Sequence, residues 1–288
     1  GCYSKGNVSG NERIGGLIGG GIRGECTSYY CVNDTLINGK RFLTPYGLYS
    51  EQFMDWITDK KIEIDDYLDP NDVTGLYSIE SEKDLTEILP FAIHDDYGYI
   101  QESDLDLSAL PDFYIPIMKG TYDGNDFSMT NVDISHNFDN NIGTFGYLER
   151  GGVISNLTVS GEIEGGDHYT GGIVGYNLGE IINCHSRVDV RGNSYLGGIS
   201  GHSPGRISNC VSRGNISGEY VVGGLVGSYY KTILNNCTST GMVEGGEKVG
   251  GLSGKTYLST ISGCRSNASV EGEIDIGGLI GSNDRSSI

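Results

Sequence analysis

The chain has 288 residues, including 47 glycines and only 6 prolines, with a hydrophobic content of 37% and a formal net charge of −19. This charge argues against nucleic acid as a partner, because phosphate neutralisation needs clusters of lysine and arginine. No run of about 18 apolar residues occurs, so no membrane-spanning segment is predicted. The chain does not start with Met and shows no signal peptide, and we interpret it as a fragment of a mature secreted or cell-surface protein.

Residues 1–76 are predicted to hold the end of a preceding repeat array, followed by a connecting tail segment and a linker. Residues 1–24 match one repeat from its cysteine onward, and residues 25–76 break the period. A short helix is expected to begin after Ser50, because serine is a preferred N-cap residue and an apolar face follows.

Residues 77–288 are predicted to form a capped array. Ser81 and Asp84 resemble a capping box, the helix that follows presents Leu85 on its apolar face, and Pro90 ends it. Such a helix would cover the open edge of the first turn. The flanking stretch of residues 50–107 holds 17 acidic and 3 basic residues but no EF-hand loop, so we interpret it as solvated acidic surface and predict no metal site.

The rest of the chain is organised around a recurring pair of glycines. The second glycine of each pair recurs in steps of 26, 26, 27 and 27 residues, at Gly172, Gly198, Gly224, Gly251 and Gly278. The first glycine of the complete copies is Gly171, Gly197, Gly223 and Gly250. Such self-similarity indicates stacked copies of one supersecondary unit.

Each copy has room for three short strands. In one copy they are predicted at residues 173–176, 181–186 and 188–190. Tight hairpins cannot join parallel strands, so the chain must coil and stack each turn on the last. The sequence therefore predicts an all-β fold, a right-handed parallel β-helix with three strands per turn of about 26 residues and short capping helices.

The corner residues are predicted from two patterns. The residue before the recurring cysteine is Asn or Gly, the types that tolerate a left-handed backbone, at Asn156, Asn183, Asn209, Asn236 and Gly263. Aligned asparagines are expected to stack their amides into a ladder. For the glycine pair, two explanations stay open: a positive φ, or a corner too crowded for a Cβ atom.

Four cysteines share one position of the repeat, at Cys184, Cys210, Cys237 and Cys264. Leu157 occupies this position in an earlier copy, so the position is predicted to face the core, where a free cysteine behaves as a small hydrophobe. We expect reduced, inert thiols. Cys2 and Cys26 match the same position of partial repeats, and Cys31 has no place in the register.

The glycine segment with its following asparagine and cysteine, GGxxGxxxxGxIxNC, resembles the GLUG repeat. The matching segments begin at Gly171, Gly197, Gly223 and Gly250. The resemblance implies a β-helix from a bacterial surface protein, or from the non-catalytic part of proteins called IgA1-specific metalloendopeptidases. The zinc peptidase motif HExxH is absent around all five histidines, His94, His136, His168, His185 and His202, so the peptidase chemistry does not carry over.

One aromatic stripe is the candidate ligand-binding surface. Aromatic residues follow each glycine segment, at Tyr147, Tyr176, His202, Tyr229 and Tyr257. Stacked turns would bring them together on one corner, and Tyr169 and Tyr195 lie before the glycine pair of adjacent turns. Exposed aromatic rings can bind sugars or peptides. The competing explanation is that these tyrosines only occupy exposed strand and corner positions and bind nothing.

The sequence favours a non-catalytic module, adhesin-like or a stalk, that binds a glycan or a host extracellular protein without a cofactor. One alternative is a polysaccharide-cleaving β-helix enzyme. Its paired acids would be Asp65 with Asp66 and Asp95 with Asp96, and all four lie outside the regular turns. A second alternative is an accessory region of a zinc peptidase whose catalytic domain lies elsewhere. End-to-end self-association through the last turns is a further expectation.

Overall fold

The computed structural model describes residues 63–89, 91–135, 140–166 and 168–288, together with the backbone of three two-residue strands nearer the N-terminus. The chain divides into one unit of residues 1–67 and 88–91 and a larger unit of residues 68–87 and 92–288. The predicted helix after Ser50, His136 and the cysteines Cys2, Cys26 and Cys31 lie outside the described residues.

In the first unit, Asn7–Val8 pairs in parallel with Leu36–Ile37, which pairs antiparallel with Lys40–Arg41. A single 3-10 turn spans Ile64–Asp66 in the same unit.

The larger unit is a parallel β-solenoid of about seven turns, which confirms the predicted all-β parallel β-helix with three strands per turn. Sheet 1 contains Ile115–Met118, Phe145–Leu148, Val174–Asn177, Ser200–Ser203, Val226–Tyr230, Ser253–Tyr257 and Ile280–Asp284. Sheet 2 contains Tyr77–Ile79, Gly98–Gln101, Thr121–Asp123, Val153–Ser155, Glu180–Ile182, Arg206–Ser208, Ile233–Asn235 and Thr260–Ser262.

Sheet 3 is the largest sheet because most turns contribute two strands or one long strand to it. Its strands are Leu105–Asp106, Ser128–Ser135, Thr158–Glu164, His168–Gly171, His185–Arg191, Ser194–Gly197, Val211–Ser212, Ile216–Gly223, Thr238–Ser239, Met242–Gly250, Arg265–Ser266, Ser269–Glu271 and Ile274–Gly277. The predicted strand over residues 181–186 is split, because the left-handed backbone of Asn183 (φ 54°) turns the chain from sheet 2 to sheet 3.

The core is a set of stacked columns of inward side chains, one residue per turn. In sheet 2 such a column is at most 4% exposed and consists of Ile154, Ile181, Ile207, Leu234 and Ile261. Each side chain lies about 4.8 Å from its equivalents in the neighbouring turns. A single turn therefore buries little on its own, and the core forms only where turns stack.

A short helix, Glu82–Glu87, lies at the N-terminal end of the solenoid. The Ser81 Oγ accepts a hydrogen bond from the Asp84 N–H (3.4 Å), as in a capping box. The Asp84 carboxylate accepts one from the Glu80 N–H (3.0 Å), one residue before the position that a capping box uses. The Glu82 carboxylate accepts the N–H of Asp106 on the edge strand of sheet 3 (2.8 Å). The helix therefore caps the edge as predicted, although it ends three residues before Pro90. A second 3-10 turn, Leu107–Ala109, follows this edge strand. No helix within the described residues is long and apolar enough to cross a bilayer.

Candidate binding surface

The asparagine corners form the predicted amide ladder. Asn156, Asn183, Asn209 and Asn236 all have a φ between 51° and 54°. The Asn183 Nδ2 donates to the Asn156 Oδ1, and the Asn209 Nδ2 donates to the Asn183 Oδ1, both at 3.1 Å. The Asn156 Nδ2 in turn donates to Asp123 (2.9 Å), so this acid caps the corner as expected for a turn residue. The ladder holds successive turns in register.

Crowding explains the glycine pairs, and a positive φ does not. A Cβ on Gly198 would clash with the inward Ser212 side chain, and one on Gly172 would clash with the carbonyl of Gly198 in the next turn. The left-handed backbone lies two residues before the first glycine instead. There it is adopted by Tyr169 (φ 62°), Tyr195 (φ 59°) and their equivalents Val221, Lys248 and Asp275.

The cysteine column faces the core, as the Leu157 match predicted. Cys184, Cys210 and Cys237 are fully buried, Cys264 is half-buried, and all four are free. The Cys210 N–H donates to the Cys237 Sγ at 3.4 Å. Burial raises the pKa of Cys210 well above its usual value, and the neighbouring Cys210 thiol raises the pKa of Cys237 to about 12. Inert thiols follow as a prediction.

Three of the five predicted stripe residues lie in one outward-facing column of sheet 1. Tyr147 pairs in register with Tyr176, and Tyr176 pairs with His202. The rings of Tyr147 and Tyr176 are stacked, with centroids 5.1 Å apart and planes 17° apart. The next member of the column is Ser228, so the aromatic run ends at His202.

The positive-φ corner adds two more rings to this column. Tyr169 contacts Tyr176 edge-on at 5.3 Å and lies 5.3 Å from His202, while Tyr195 lies 5.0 Å from Tyr169. The exposed His168 lies 5.8 Å from Tyr169 and 6.0 Å from Tyr195. We call these six residues the aromatic cluster: Tyr147, His168, Tyr169, Tyr176, Tyr195 and His202.

Tyr229 does not belong to this surface, which corrects the predicted stripe. Its register partner in the preceding turn is Ser203, its ring is fully buried, and its hydroxyl donates to the carbonyl of Ile233. The reason is the alternation of side chains along a strand. Tyr147 stands one residue after Gly146, Tyr176 stands one residue after Gly175, and both face outward, whereas Tyr229 stands two residues after Gly227 and faces inward.

Tyr257 faces outward but lies in a different column. It pairs in register with Tyr230, whose ring stacks on it at 5.1 Å and 9°. Tyr230 is 39% exposed, and the stripe prediction did not include it. The signal that identifies it is the step of 27 residues, which lengthens the strand of sheet 1 by one residue to Val226–Tyr230.

A surface depression of about 400 Å³ is lined by residues that lie close in sequence to the aromatic cluster. Three successive turns line it with Glu164, Gly165, Gly166, Arg191, Gly192, Asn193 and Glu219. Gly166 lies two residues before His168, and Asn193 lies two residues before Tyr195, so the same turns supply both features.

Three rings of the cluster are partly desolvated, and this favours their neutral forms. Burial lowers the pKa of His202 to about 4, so its imidazole is neutral at physiological pH. Burial also raises the pKa of Tyr147 and that of Tyr169. Tyr147, Tyr169 and His202 are therefore neutral at physiological pH.

The remaining candidates lie elsewhere. His185 lies in register with Thr158 and Val211, which supports a variable position rather than a histidine ladder. His94 contacts Tyr97 edge-on at 5.9 Å. Asp95 and Asp96 are both exposed and lie outside the regular strands. Within the described ranges, no three His, Cys, Asp or Glu side chains are grouped closely enough to hold a metal.

These features define a class of protein: a β-solenoid repeat module with glycine-crowded turns and an aromatic outer surface. The GLUG motif model matches residues 166–191, the turn that contains Tyr169 and Tyr176. The fold is similar to the crystal structure of "a putative immunoglobulin A1 protease from Bacteroides ovatus", with a TM-score of 0.63 and 18% identity over 74% of this chain and 75% of that chain. No curated protein sequence matches this chain.

Proposed function

We propose that this chain is a non-catalytic GLUG-repeat module of a secreted or cell-surface protein and that it binds a glycan through the aromatic cluster. The observation that carries the proposal is the contact of six aromatic rings, contributed by three successive turns, on one outer surface. Surface aromatic side chains supply a large contact area with little entropy loss, since only two torsions must be fixed.

The geometry suits sugar rings in particular. Tyr147 and Tyr176 stack on each other one turn apart, so this pair presents a continuous apolar edge that the C–H groups of a sugar ring can contact. Sugar hydroxyls also need hydrogen-bond partners. The depression lined by the same turns offers the carboxylates of Glu164 and Glu219 as acceptors and the Asn193 amide as both donor and acceptor.

The cluster is held rigidly, and this reduces the entropy cost of binding. Backbone pairing fixes Tyr147, Tyr176 and His202, because each belongs to a strand with neighbours on both sides. Tyr169 and Tyr195 project from corners that repeat in every turn. A ligand therefore meets a preformed surface.

Binding of the chain to an array of plant, bacterial and host glycans tests the proposal. In the Tyr147→Ala/Tyr176→Ala double variant, we expect affinity for any glycan bound by the wild type to fall at least about tenfold, given about 1 kcal/mol or more per lost ring. Tyr67→Ala, which removes a 43%-exposed ring outside the cluster, is the control. Unchanged affinity in the double variant, or retention of a host protein and no glycan by the wild type, would refute glycan binding.

A second candidate function is an accessory region of an IgA1-protease-like peptidase. The fold similarity to the Bacteroides ovatus protein favours it. The test is binding of this chain to immunoglobulin A1 compared with immunoglobulin G. Saturable binding to A1 alone, unaffected by Tyr147→Ala/Tyr176→Ala, would favour this candidate over the glycan module.

The polysaccharide-cleaving alternative has one supporting observation, the carboxylates of Glu164 and Glu219 on the rim of the depression. Release of reducing ends from a polysaccharide panel tests it directly. Release that is lost in Glu219→Gln would replace the non-catalytic proposal with an enzyme.

A further inference from the structure

The outward aromatic residues of sheet 1 continue beyond His202, shifted by two residues along the strand. Ser228 follows His202 in the first column, but two residues further along the same strand Tyr230 faces outward and stacks on Tyr257 of the next turn. One turn and two residues separate His202 from Tyr230, which corresponds to about 8 Å between their backbones. The two aromatic groups are therefore diagonal neighbours on one surface.

Lysines distinguish the second group from the first. The Lys231 Nζ lies 5.1 Å from the centroid of the Tyr230 ring. Lys255 lies in register with Ser228, two residues before Tyr257, and is half-buried. Neither lysine has an ion-pair partner among the described residues, and the aromatic cluster itself contains no lysine or arginine.

Two further charged residues of these turns are paired. Asp284 lies in register with Tyr257 and its carboxylate is 3.5 Å from Arg285. Lys248 forms an ion pair with the adjacent Glu247. Local positive charge is therefore left over at Lys231 and Lys255, in a chain whose net charge is −19.

We propose that Tyr230, Lys231, Lys255 and Tyr257 form a second subsite, continuous with the aromatic cluster, that selects a glycan bearing carboxylates. This inference rests on the proposed glycan binding and names its ligand class, an acidic polysaccharide built from uronic acids. One sugar ring packs against the outer edge of the stacked Tyr230–Tyr257 pair while its carboxylate lies against the two ammonium groups. The aromatic cluster holds the preceding sugar units.

The charge pattern favours this ligand over other polyanions. Two lysines suit isolated carboxylates, whereas the dense phosphates of a nucleic acid need many cations and would be repelled by the acidic remainder of the chain. An acidic peptide would also satisfy the lysines, but the aromatic residues continue over several turns and offer apolar contact to the C–H groups of successive sugar units. The combination of aromatic contact area and ammonium groups fits a charged sugar.

Calorimetric titration of the full chain with an oligogalacturonate and with its methyl ester tests the inference, because the two probes share a backbone and differ only in charge. We expect the acid to bind at least about fivefold more tightly at low salt, and the difference to shrink as salt screens the charges. Lys231→Gln/Lys255→Gln should remove most of the preference without changing the affinity for the ester. Lys83→Gln, which removes one positive charge on the capping helix, is the control for each single variant, Lys231→Gln and Lys255→Gln, and should leave the preference intact.

The outcomes separate this inference from the proposed function. If the ester binds as tightly as the acid, or if the double lysine variant keeps the preference, the acidic subsite is refuted while glycan binding stands. If polyglutamate competes as well as the oligogalacturonate does, the subsite is a general anion site and the inference is also refuted. If neither probe binds and the array shows another glycan bound, the acidic class is wrong. If no glycan binds at all, the proposed glycan binding is refuted, and the acidic subsite is refuted with it.

Discussion

Replacing Tyr229 with alanine tests the orientation of every side chain on sheet 1. Tyr229 lies in the inward column next to Ser203 and Thr256 of the adjacent turns, with its ring fully buried. A shift of the register by one residue would exchange its environment with that of Tyr230, because successive side chains of a strand face opposite sides. The two neighbouring tyrosines therefore report directly on which face is the core.

The expected cost is large because the truncation leaves a cavity in a close-packed core. A buried aromatic replaced by alanine costs about 3–5 kcal/mol of unfolding free energy. For a unit of roughly 200 residues this corresponds to a fall in Tm of about 6–20 °C. Tyr229→Phe keeps the ring and loses only the hydrogen bond to the Ile233 carbonyl, which is worth about 1 kcal/mol.

Thermal and urea unfolding followed by circular dichroism measure these differences. Tyr230→Ala is the matched control: the residue is 39% exposed, and we expect its loss to cost about 1 kcal/mol, mainly from its stack on Tyr257. Comparable losses for Tyr229→Ala and Tyr230→Ala, or a larger loss for Tyr230→Ala, would refute the register and with it the assignment of the outward columns.

Four further predictions follow from the same contacts. Gly198→Ala should destabilise the protein by about 1–3 kcal/mol through the clash of its Cβ with Ser212, and adding Ser212→Ala should recover part of the loss. Additive costs of the two substitutions in a double-mutant cycle, measured by urea unfolding, would contradict the crowding explanation. Cys237, with its pKa raised to about 12, should resist thiol reagents at pH 8 in the folded protein, and rapid labelling of the native protein would refute this. Because folding favours the neutral thiol, its contribution to stability should be lost as the pH rises from about 9 towards 12. His202, with its pKa lowered to about 4, should titrate in an NMR experiment well below the pKa of free histidine, and a titration near 6.5 in the native protein would show that the ring is solvated. Because folding favours the neutral ring, the free energy of unfolding should fall as the pH drops from about 6.5 towards 4. We also propose end-to-end self-association through the last turn, where Ile276 is 42% exposed. Analytical ultracentrifugation should show concentration-dependent oligomers that Ile276→Asp weakens, and a monomer at all concentrations would refute this proposal.

The fold was predictable because each copy of the repeat carries the same kinds of residue at its inward and corner positions. The cysteine position accepts Leu157 in one copy, and this single exchange identifies it as apolar and inward. Asn183 and its equivalents marked the corners, since few other residues adopt a left-handed backbone without strain. The left-handed Tyr169 and Tyr195 could not be predicted in this way, because no intrinsic preference of tyrosine signals that conformation.

The candidate site was only partly predictable. The sequence placed Tyr147, Tyr176 and His202 on one corner, and the register confirms that they share a column. It misplaced Tyr229, because an offset of one residue from the glycine segment reverses the direction of a side chain and the step of 27 residues hides that offset.

The sequence by itself determined the architecture of this protein: the period, the glycine and asparagine corners, the inward cysteine column and hence a stacked parallel β-helix. Only the tertiary structure decided which aromatic residues meet. His168, Tyr169 and Tyr195 join Tyr176 and His202 because stacking brings residues about 26 positions apart to within one strand spacing, and a corner brings two columns side by side. The repeat specifies the spacing of the turns, but the contacts across a corner depend on the backbone angles at that corner, which no spacing in the sequence encodes.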